Sequence, residues 1–190
     1  MLICTASDGI ELHLLEEQHA EALAGLADGY DARPQVNEWL FPGATPEATR
    51  EWIRGELGRH ARAERVACGI WIEGQLAGVI ILDLRGGVLE ADIPKPITAG
   101  MDYLLAPAFR GRGVMTRACR ALTDYAFRTY PSLNRIEISP DAVNVKSCAI
   151  PERLGFTKEG VLRQMVSYGD FFGDIAVYSL LRSEWEARAH

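Results

Sequence analysis

Leu104-Leu105-Ala106-Pro107-Ala108-Phe109-Arg110-Gly111-Arg112-Gly113-Val114-Met115-Thr116 is the most informative stretch of this chain. The apolar residues before Pro107 predict a buried strand that ends at the proline. After Gly113, apolar residues recur at helical spacing and predict a helix. A strand therefore enters a glycine-rich turn that opens a helix. Such a turn presents unpaired backbone N–H groups together with the positive end of the helix dipole.

The glycines and arginines of this turn suit an anionic ligand. Gly111 and Gly113 let the backbone approach a ligand because they carry no Cβ atom, and Arg110 and Arg112 add positive charge. The turn is not a P-loop, because no Lys follows its last glycine, and Thr116 stands where the dinucleotide fingerprint has its third glycine. The pattern predicts a cradle for a phosphate-bearing ligand. The alternative is an ordinary strand-to-helix turn with solvated arginines.

The length, net charge and composition of the chain limit the kinds of protein that it can be. It has 190 residues and a formal net charge of −6, which predicts one domain over residues 1–190 and disfavours non-specific binding of nucleic acid. Neither the cysteines nor the histidines show metal-ligand spacing, so no metal is expected. No signal segment or membrane-spanning apolar run is recognisable, and a cytoplasmic protein with no membrane partner is expected.

Hydrophobic periodicity predicts alternating strands and helices along the chain. Strands are expected within residues 1–14, 66–72, 76–84, 98–105, 135–139, 158–166 and 171–181. Helices are expected over residues 16–26, from a Thr45 cap onward, from the glycine-rich turn to Arg128, and within residues 141–154. The helix after Thr45 is expected to bury Ala48, Trp52 and Leu57 and to keep its charged residues in solvent.

Two irregular segments each allow two interpretations. Residues 30–43 contain Trp39, Leu40 and Phe41, which either cover the core or form the floor of an acceptor pocket. Residues 90–96 mix acids, prolines and a lysine. They form either a solvated loop or an acidic lip for an amine.

Two sequence blocks together resemble one enzyme family. Arg110-x-x-Gly113-x-Met115 resembles the pyrophosphate loop of the GCN5-related N-acetyltransferases (GNAT), with Met115 where that family has a small residue. Asn144-x-x-Ser147, followed by Gly155-Phe156, resembles the corresponding segment of the RimL/RimJ-type ribosomal-protein acetyltransferases within the family. Tyr103-Leu104-Leu105 before Pro107, the entry Ile10-x-Leu12-x-x-Leu15 and the Trp39-Leu40 pair fit the same group, so the resemblance covers nearly the whole chain.

The resemblance implies a fold and a cosubstrate. The fold is a single α/β domain with a mostly antiparallel, mixed and twisted sheet, which is splayed at its centre and flanked by helices. Acetyl-CoA would enter between the strands at 98–105 and 135–139, with no metal involved. Its implied contacts are Tyr103, Leu104, Leu105, Arg110, Gly111, Arg112, Gly113, Val114, Met115, Asn144 and Ser147.

The resemblance also implies catalytic candidates. It places the Ser147 hydroxyl near the departing sulfur. Many relatives carry a tyrosine acid one helical turn later, where this chain has Pro151, and some carry a glutamate base at the position of Val166. Asp102 and Glu137 lie on strands beside the expected cleft and are the substitute candidates for the base. Because proline lacks an N–H group, Pro151 is also expected to bend or break its helix.

The absence of a glutamate base at Val166 affects which kind of acceptor amine is expected. Neutralising a lysine amine of pKa about 10.4 at neutral pH costs about 4–5 kcal/mol, whereas an α-amine of pKa about 7.7–8.0 costs about 1 kcal/mol. A site with no evident strong base therefore favours a protein N-terminal α-amine, with a small-molecule amine as the second choice. The rival interpretations are a non-catalytic acyl-CoA-binding or regulatory domain on the same fold, and a nucleotide-binding domain. A homodimer is common among resembling enzymes.

Overall fold

A computed structural model describes residues 1–28, 45–86 and 96–188 of the chain. The predictions for Trp39, Leu40 and Phe41 lie outside the described residues. So does the prediction for the loop that precedes Pro96.

Eight strands and five α-helices are assigned within these ranges. The strands are β1 (Leu2–Thr5), β2 (Ile10–Leu14), β3 (Arg65–Ile72), β4 (Gln75–Gly86), β5 (Pro96–Leu105), β6 (Arg135–Ile138), β7 (Thr157–Ser167) and β8 (Phe172–Leu181). The helices are α1 (Ala20–Asp28), α2 (Pro46–Ala61), α3 (Val114–Thr129), α4 (Val145–Arg153) and α5 (Arg182–Arg188). Short 3-10 turns lie at Glu17–His19 and Pro107–Phe109.

The strands form one sheet in the order β1-β2-β3-β4-β5-β6-β8-β7. The pairs β1–β2, β2–β3, β6–β8 and β7–β8 are antiparallel, whereas β5 and β6 are parallel. The parallel pairing joins Thr98–Gly100 to Arg135–Glu137, while β5 continues to Leu105. The predicted mixed, mostly antiparallel sheet, splayed at its centre and flanked by helices, is confirmed.

The chain divides into two compact units, and the divisions fall within β4, β5 and α3. One unit comprises Met1–Ile81 and Tyr103–Leu122, and the other comprises Leu82–Asp102 and Thr123–His190. The organisation of residues 1–190 as one domain stays a prediction.

The first unit has its own apolar core between the sheet and helices α1 and α2. Burial of each valine, leucine or isoleucine side chain contributes about 1.5–3 kcal/mol, and each alanine contributes less. The buried cluster comprises Leu15, Ala20, Leu23, Ile53, Ala67, Leu76, Val79, Ile81 and Leu104. The run Val79–Leu82 is buried throughout, as expected of a central strand covered on both faces.

Gly78 lies where β4 and β5 approach closely. A Cβ atom at this position would lie 2.2 Å from the carbonyl oxygen of Leu104. Beside it, the N–H group of Ala106 donates to the carbonyl of Ala77 at 2.9 Å. Because no side chain fits here, glycine fixes how closely the end of β5 approaches β4.

Helix α2 begins as predicted, and Trp52 and Leu57 pack against the core as predicted, but the most buried residues lie between them on the same face. The Thr45 hydroxyl accepts a hydrogen bond from the N–H group of Ala48 at 3.3 Å, which is an N-cap. The fully buried residues are Thr49, Ile53 and Glu56, whereas the predicted Ala48, Trp52 and Leu57 are half-buried. Solvation of every charged residue in this region is therefore a wrong prediction.

Glu56 is the buried exception because it has a cationic partner. Its side chain is 6% exposed, and its Oε1 lies 3.3 Å from Nη1 of Arg65 at the start of β3. A buried carboxylate needs such a partner. Helical periodicity does not reveal a partner that is supplied by another element.

The second unit contains two features that differ from expectation. Helix α4 continues through Pro151, which is buried, and ends at Arg153; of the predicted bend or break, the break at the proline does not occur, and the bend stays a prediction. Helix α5 follows β8 directly and was not predicted. It is held by Arg182, which donates to the carbonyls of Phe127 and Tyr130 at 2.9 and 2.7 Å.

Candidate functional site

The glycine-rich turn has the left-handed backbone that its sequence predicts. Gly111 has φ of +75° and Gly113 has φ of +70°. A residue with a Cβ atom pays about 1–2 kcal/mol in this conformation. At Gly113 a Cβ atom would also lie 3.0 Å from Nη1 of Arg117. The turn therefore requires glycine at both positions.

Helix α3 begins with unused hydrogen-bond donors. The N–H group of Arg117 donates to the carbonyl of Gly113 at 3.2 Å. Within the described ranges, no protein acceptor takes the backbone N–H groups from Gly111 to Thr116. These donors sit at the positive end of a 16-residue helix, which is an arrangement that binds phosphate groups.

The two arginines of the turn differ in their surroundings. Nε of Arg110 donates to the carbonyl of Leu105 at 3.0 Å, so this guanidinium ties the turn to the end of β5. The Arg112 guanidinium lies 6.0 Å from the ring centroid of Phe109 and is exposed. Arg112 therefore offers a charge to a ligand, and Arg110 also has a structural role.

Three predicted contact residues place their side chains in the core. Leu104, Val114 and Met115 are 3%, 2% and 6% exposed. Their contacts with a ligand would therefore be made through main-chain atoms. The burial of Met115 also explains why a large residue is tolerated where the resembling family has a small one.

Asn144 and Ser147 meet at the start of α4. Oδ1 of Asn144 accepts a hydrogen bond from the N–H group of Ser147 at 3.1 Å, so Asn144 is the N-cap of this helix. The cap uses the amide oxygen and leaves the exposed amide nitrogen as a donor. Helix capping and the predicted ligand contact are thus compatible within one side chain.

The loop before Asn144 is held by the β7–β8 hairpin. The N–H group of Ala142 donates to the carbonyl of Asp174 at 2.8 Å. The hydroxyl of Tyr168 donates to Oδ2 of Asp141 at 2.8 Å. Neither Tyr168 nor Asp174 belongs to a recognisable motif, so no sequence pattern reveals their contacts with this loop.

The two candidate bases have different environments. Asp102 is half-buried on β5. Both oxygens of Glu137 are engaged, since Oε1 accepts from the Ser139 hydroxyl at 2.8 Å and Oε2 accepts from Arg135 at 3.1 Å. Glu137 is thus held by two protein donors, and each of its oxygens keeps a second lone pair that can accept a proton.

A tyrosine packs against α4 but is unsuited to replace the acid that is missing at Pro151. The Tyr178 hydroxyl donates to Oε1 of Glu152 at 2.9 Å, and its side chain is fully buried. Burial and the Glu152 carboxylate both raise the pKa of Tyr178. Its proton is therefore retained, and the buried hydroxyl is out of reach of a ligand.

Among residues 1–28, 45–86 and 96–188, no cluster of side chains has the composition of a metal site. Within the same ranges, no helix combines the length and apolar character needed to span a bilayer.

The sequence matches the family model of the acetyltransferase (GNAT) domain over residues 10–157. The chain belongs to the GNAT family. GNAT membership makes it an acetyl-CoA-dependent N-acetyltransferase, as the two sequence blocks predicted. The non-catalytic alternative is not favoured by this match.

Curated GNAT relatives align along nearly the whole chain. The putative ribosomal N-acetyltransferase YdaF of Bacillus subtilis is 34% identical in an alignment of 190 positions that covers 98% of each chain. The ribosomal-protein-serine acetyltransferase of Escherichia coli is 28% identical, over 91% of this chain and 93% of its own.

Solved GNAT structures share the fold. A crystal structure of a probable acetyltransferase has a TM-score of 0.82 and 33% identity, over 97% of this chain and 99% of its own. RimL, a ribosomal L7/L12 α-N-protein acetyltransferase in complex with coenzyme A, has a TM-score of 0.82 and 23% identity, over the same shares of the two chains. The ligand and catalytic roles of individual residues in this GNAT chain stay predictions.

Proposed function

We propose that this GNAT enzyme transfers the acetyl group of acetyl-CoA directly to the α-amino group of a polypeptide N-terminus. The observation that carries the proposal is the row of unused backbone N–H groups from Gly111 to Thr116. The names of two relatives support the acceptor, since one is a ribosomal-protein-serine acetyltransferase and the other a putative ribosomal N-acetyltransferase.

The N–H groups at the start of α3 would bind the diphosphate of acetyl-CoA. A hydrogen bond to a charged group contributes about 1.5–3 kcal/mol, and the helix dipole adds to this attraction. Arg112 supplies a positive charge on the same turn. The backbone of Tyr103–Leu105 would pair with the peptide-like pantetheine arm, in the way that an added strand pairs with a sheet.

Transfer requires a neutral amine and a stabilised leaving group. The amine nitrogen attacks the thioester carbonyl carbon, the C–S bond breaks, and the sulfur leaves with the bonding electrons. The amine loses one proton and the sulfur gains one. In this proposal the Ser147 hydroxyl donates toward the departing sulfur, and Asp102 or Glu137 receives the proton of the amine.

The environment of the candidate bases favours an α-amine. Glu137 is held by Arg135 and Ser139, and Val166 occupies the position where some relatives have glutamate. An α-amine needs about 1 kcal/mol to become neutral, against about 4–5 kcal/mol for lysine. A site of this kind therefore acts more readily on an N-terminus than on a lysine side chain.

The test is an acceptor panel with acetyl-CoA. One peptide has a free N-terminus and no lysine, its counterpart has an acetylated N-terminus and one free lysine, and small primary amines complete the panel. We expect kcat/KM for the free N-terminus to exceed that for lysine at least about tenfold, since the difference in the cost of neutralisation is several kcal/mol. Thiol release gives the rate, and mass spectrometry locates the acetyl group.

The other outcomes of this panel have definite meanings. Preference for lysine contradicts the proposed acceptor. Turnover confined to small amines overturns the polypeptide acceptor but retains the transferase activity. The absence of turnover with every amine contradicts the catalytic proposal itself.

A further inference from the structure

A third arginine, Arg117, lies against the glycine-rich turn. It belongs to the first turn of α3, and its N–H group donates to the carbonyl of Gly113 at 3.2 Å. Side chains of a helix point back toward its N-terminus, and the Arg117 guanidinium follows this rule. A Cβ atom on Gly113 would lie 3.0 Å from its Nη1 and 3.9 Å from its Cζ. The guanidinium is therefore next to the turn that presents the unused N–H groups.

Arg117 differs in its surroundings from the two arginines of the sequence motif. Arg110 is tied to the end of β5 and Arg112 is exposed, whereas the side chain of Arg117 is only 30% exposed. Solvent screens a partly buried charge less than an exposed one, so its attraction for a nearby anion is stronger. Because Arg117 lies beyond the motif, which ends at Met115, the motif gives it no role.

Asp8 is the anionic partner of Arg117, and both residues belong to the first unit. Oδ2 of Asp8 lies 3.6 Å from Nε of Arg117, which is longer than a hydrogen bond. In the part of the chain that the structure describes, this buried Nε has no hydrogen-bond partner. Buried donors without an acceptor are rare in proteins. The guanidinium can therefore leave Asp8 without losing a hydrogen bond between them.

Asp8 reaches Arg117 from the turn between β1 and β2. The N–H group of Ala6 donates to the carbonyl of Ile10 at 2.8 Å and closes this turn. Asp8 has φ of +60°, a conformation that aspartate and asparagine adopt more readily than most residues with a Cβ atom. Its side chain is 74% exposed. Because an exposed ion pair contributes little to stability, a stronger anion can displace Asp8 from Arg117.

A phosphate group is such an anion, because it accepts two parallel charge-assisted hydrogen bonds from one guanidinium. We infer that Arg117 binds the diphosphate of acetyl-CoA and that Asp8 competes for Arg117 in the free enzyme. The N–H groups that follow Gly113 bind the same diphosphate. Asp8 thereby lowers the affinity of the enzyme for its cosubstrate. The inference rests on the proposed function, because acetyl-CoA is the ligand that the proposed function places at this turn.

Arg117→Gln tests the binding role. We expect the Kd for coenzyme A, measured by calorimetric titration, to rise on the order of tenfold. Arg117→Lys keeps the charge without the paired donors and should raise the Kd less. Arg120→Gln makes the same change of charge at an exposed position of α3; it is the matched control and should bind normally. If the variants at Arg117 melt at the wild-type temperature and keep the wild-type Kd, the binding role is excluded.

Asp8→Asn tests the competition. Asparagine tolerates the left-handed backbone of this turn, so the change removes the charge and keeps the turn. We expect the Kd for coenzyme A to fall about threefold, which is the scale of an exposed ion pair. Glu73→Gln removes the same charge from another exposed turn of the first unit, where φ is +51°. It is the matched control and should leave the Kd unchanged.

The double variant separates competition for Arg117 from general repulsion between Asp8 and the ligand. In the Arg117→Gln background, Asp8→Asn should no longer change the Kd, because the group for which Asp8 competes is gone. A gain in affinity that persists in the double variant would contradict the competition. So would the absence of any gain in Asp8→Asn alone.

A second ligand identifies the phosphate that Arg117 binds. 3′-Dephospho-coenzyme A retains the diphosphate, so Arg117→Gln should weaken its binding on the order of tenfold as well. A loss confined to coenzyme A would contradict the assignment to the diphosphate. Failure of the wild-type enzyme to bind coenzyme A would contradict the proposed function together with the inference. Wild-type binding that does not depend on Arg117 would overturn the inference alone.

Discussion

Gly113 is constrained both by its backbone and by its neighbour. Its φ of +70° disfavours any residue with a Cβ atom, and such an atom would lie 3.0 Å from Nη1 of Arg117. The donors that follow it at the start of α3 are oriented by the turn. A change at this residue should therefore act on acetyl-CoA binding.

Gly113→Val is expected to weaken acetyl-CoA binding at least about tenfold, because about 1–2 kcal/mol of backbone strain would be relieved by moving the donors. Calorimetric titration with coenzyme A gives the affinity. Gly55→Ala, at an exposed helical position with no atom within 4 Å of its Cβ, is the control and should bind normally. Wild-type affinity in Gly113→Val would contradict the role of the turn.

Ser147→Ala should affect turnover and leave binding unchanged. The α4 cap uses the N–H group of Ser147 and not its hydroxyl, so the helix start is retained in the variant. We expect kcat to fall on the order of 10²-fold, the usual loss for a proton donor, with little change in the KM for acetyl-CoA. Steady-state kinetics at saturating acceptor measure both, and parallel changes in kcat and KM would count against the assignment.

At the scale of elements, an ion pair links three strands of the second unit. Arg135 on β6 donates to both oxygens of Glu159 on β7 at 2.5 Å, and Ser179 on β8 donates to Glu159 at 2.7 Å. These bonds, that of Arg135 first, lower the pKa of Glu159 from 4.5 to about 2. Because the pKa in the folded state is the lower one, the bonds stabilise the fold above pH 4.5, and their contribution is lost as the pH falls toward 2.

Glu159→Gln is therefore expected to be destabilising near neutral pH and neutral in strong acid. The Glu159 side chain is 42% exposed, and solvent screening limits the loss to about 0.5–1 kcal/mol. Urea unfolding followed by circular dichroism, for both proteins at each pH, measures the difference. The acid measurement is the internal control, and a difference that does not change with pH would exclude the ion pair as its cause.

At the scale of the whole molecule, local patterns were predictable and contacts between distant segments were not. The strand, turn and helix around Gly111 and Gly113 follow from adjacent residues, and so does the Thr45 cap. The mixed, mostly antiparallel sheet and the proximity of the strands at 98–105 and 135–139 came from the family resemblance, whereas the full strand order was not predicted, because periodicity does not say which strands pair.

The unpredicted features each depend on a partner that is distant in the sequence. Glu56 is buried because Arg65 comes to lie beside it. Helix α5 is held because Arg182 donates to the carbonyls of Phe127 and Tyr130, which are distant in the sequence. The irregular pairing of β7 with β8 at Gln164 is held by the Asp174 carboxylate on the opposite strand. No local sequence pattern in β7 predicts this irregularity.

Gly78 constrains the position of a segment that carries predicted acetyl-CoA contacts. Its missing methyl group is the space that the carbonyl of Leu104 occupies, and the chain runs from Leu104 directly into the glycine-rich turn. Any larger residue at position 78 would displace Leu104 and, with it, the start of the glycine-rich turn. In the proposed function, sequence variation at this buried glycine is therefore limited by the binding of acetyl-CoA at the turn as well as by packing.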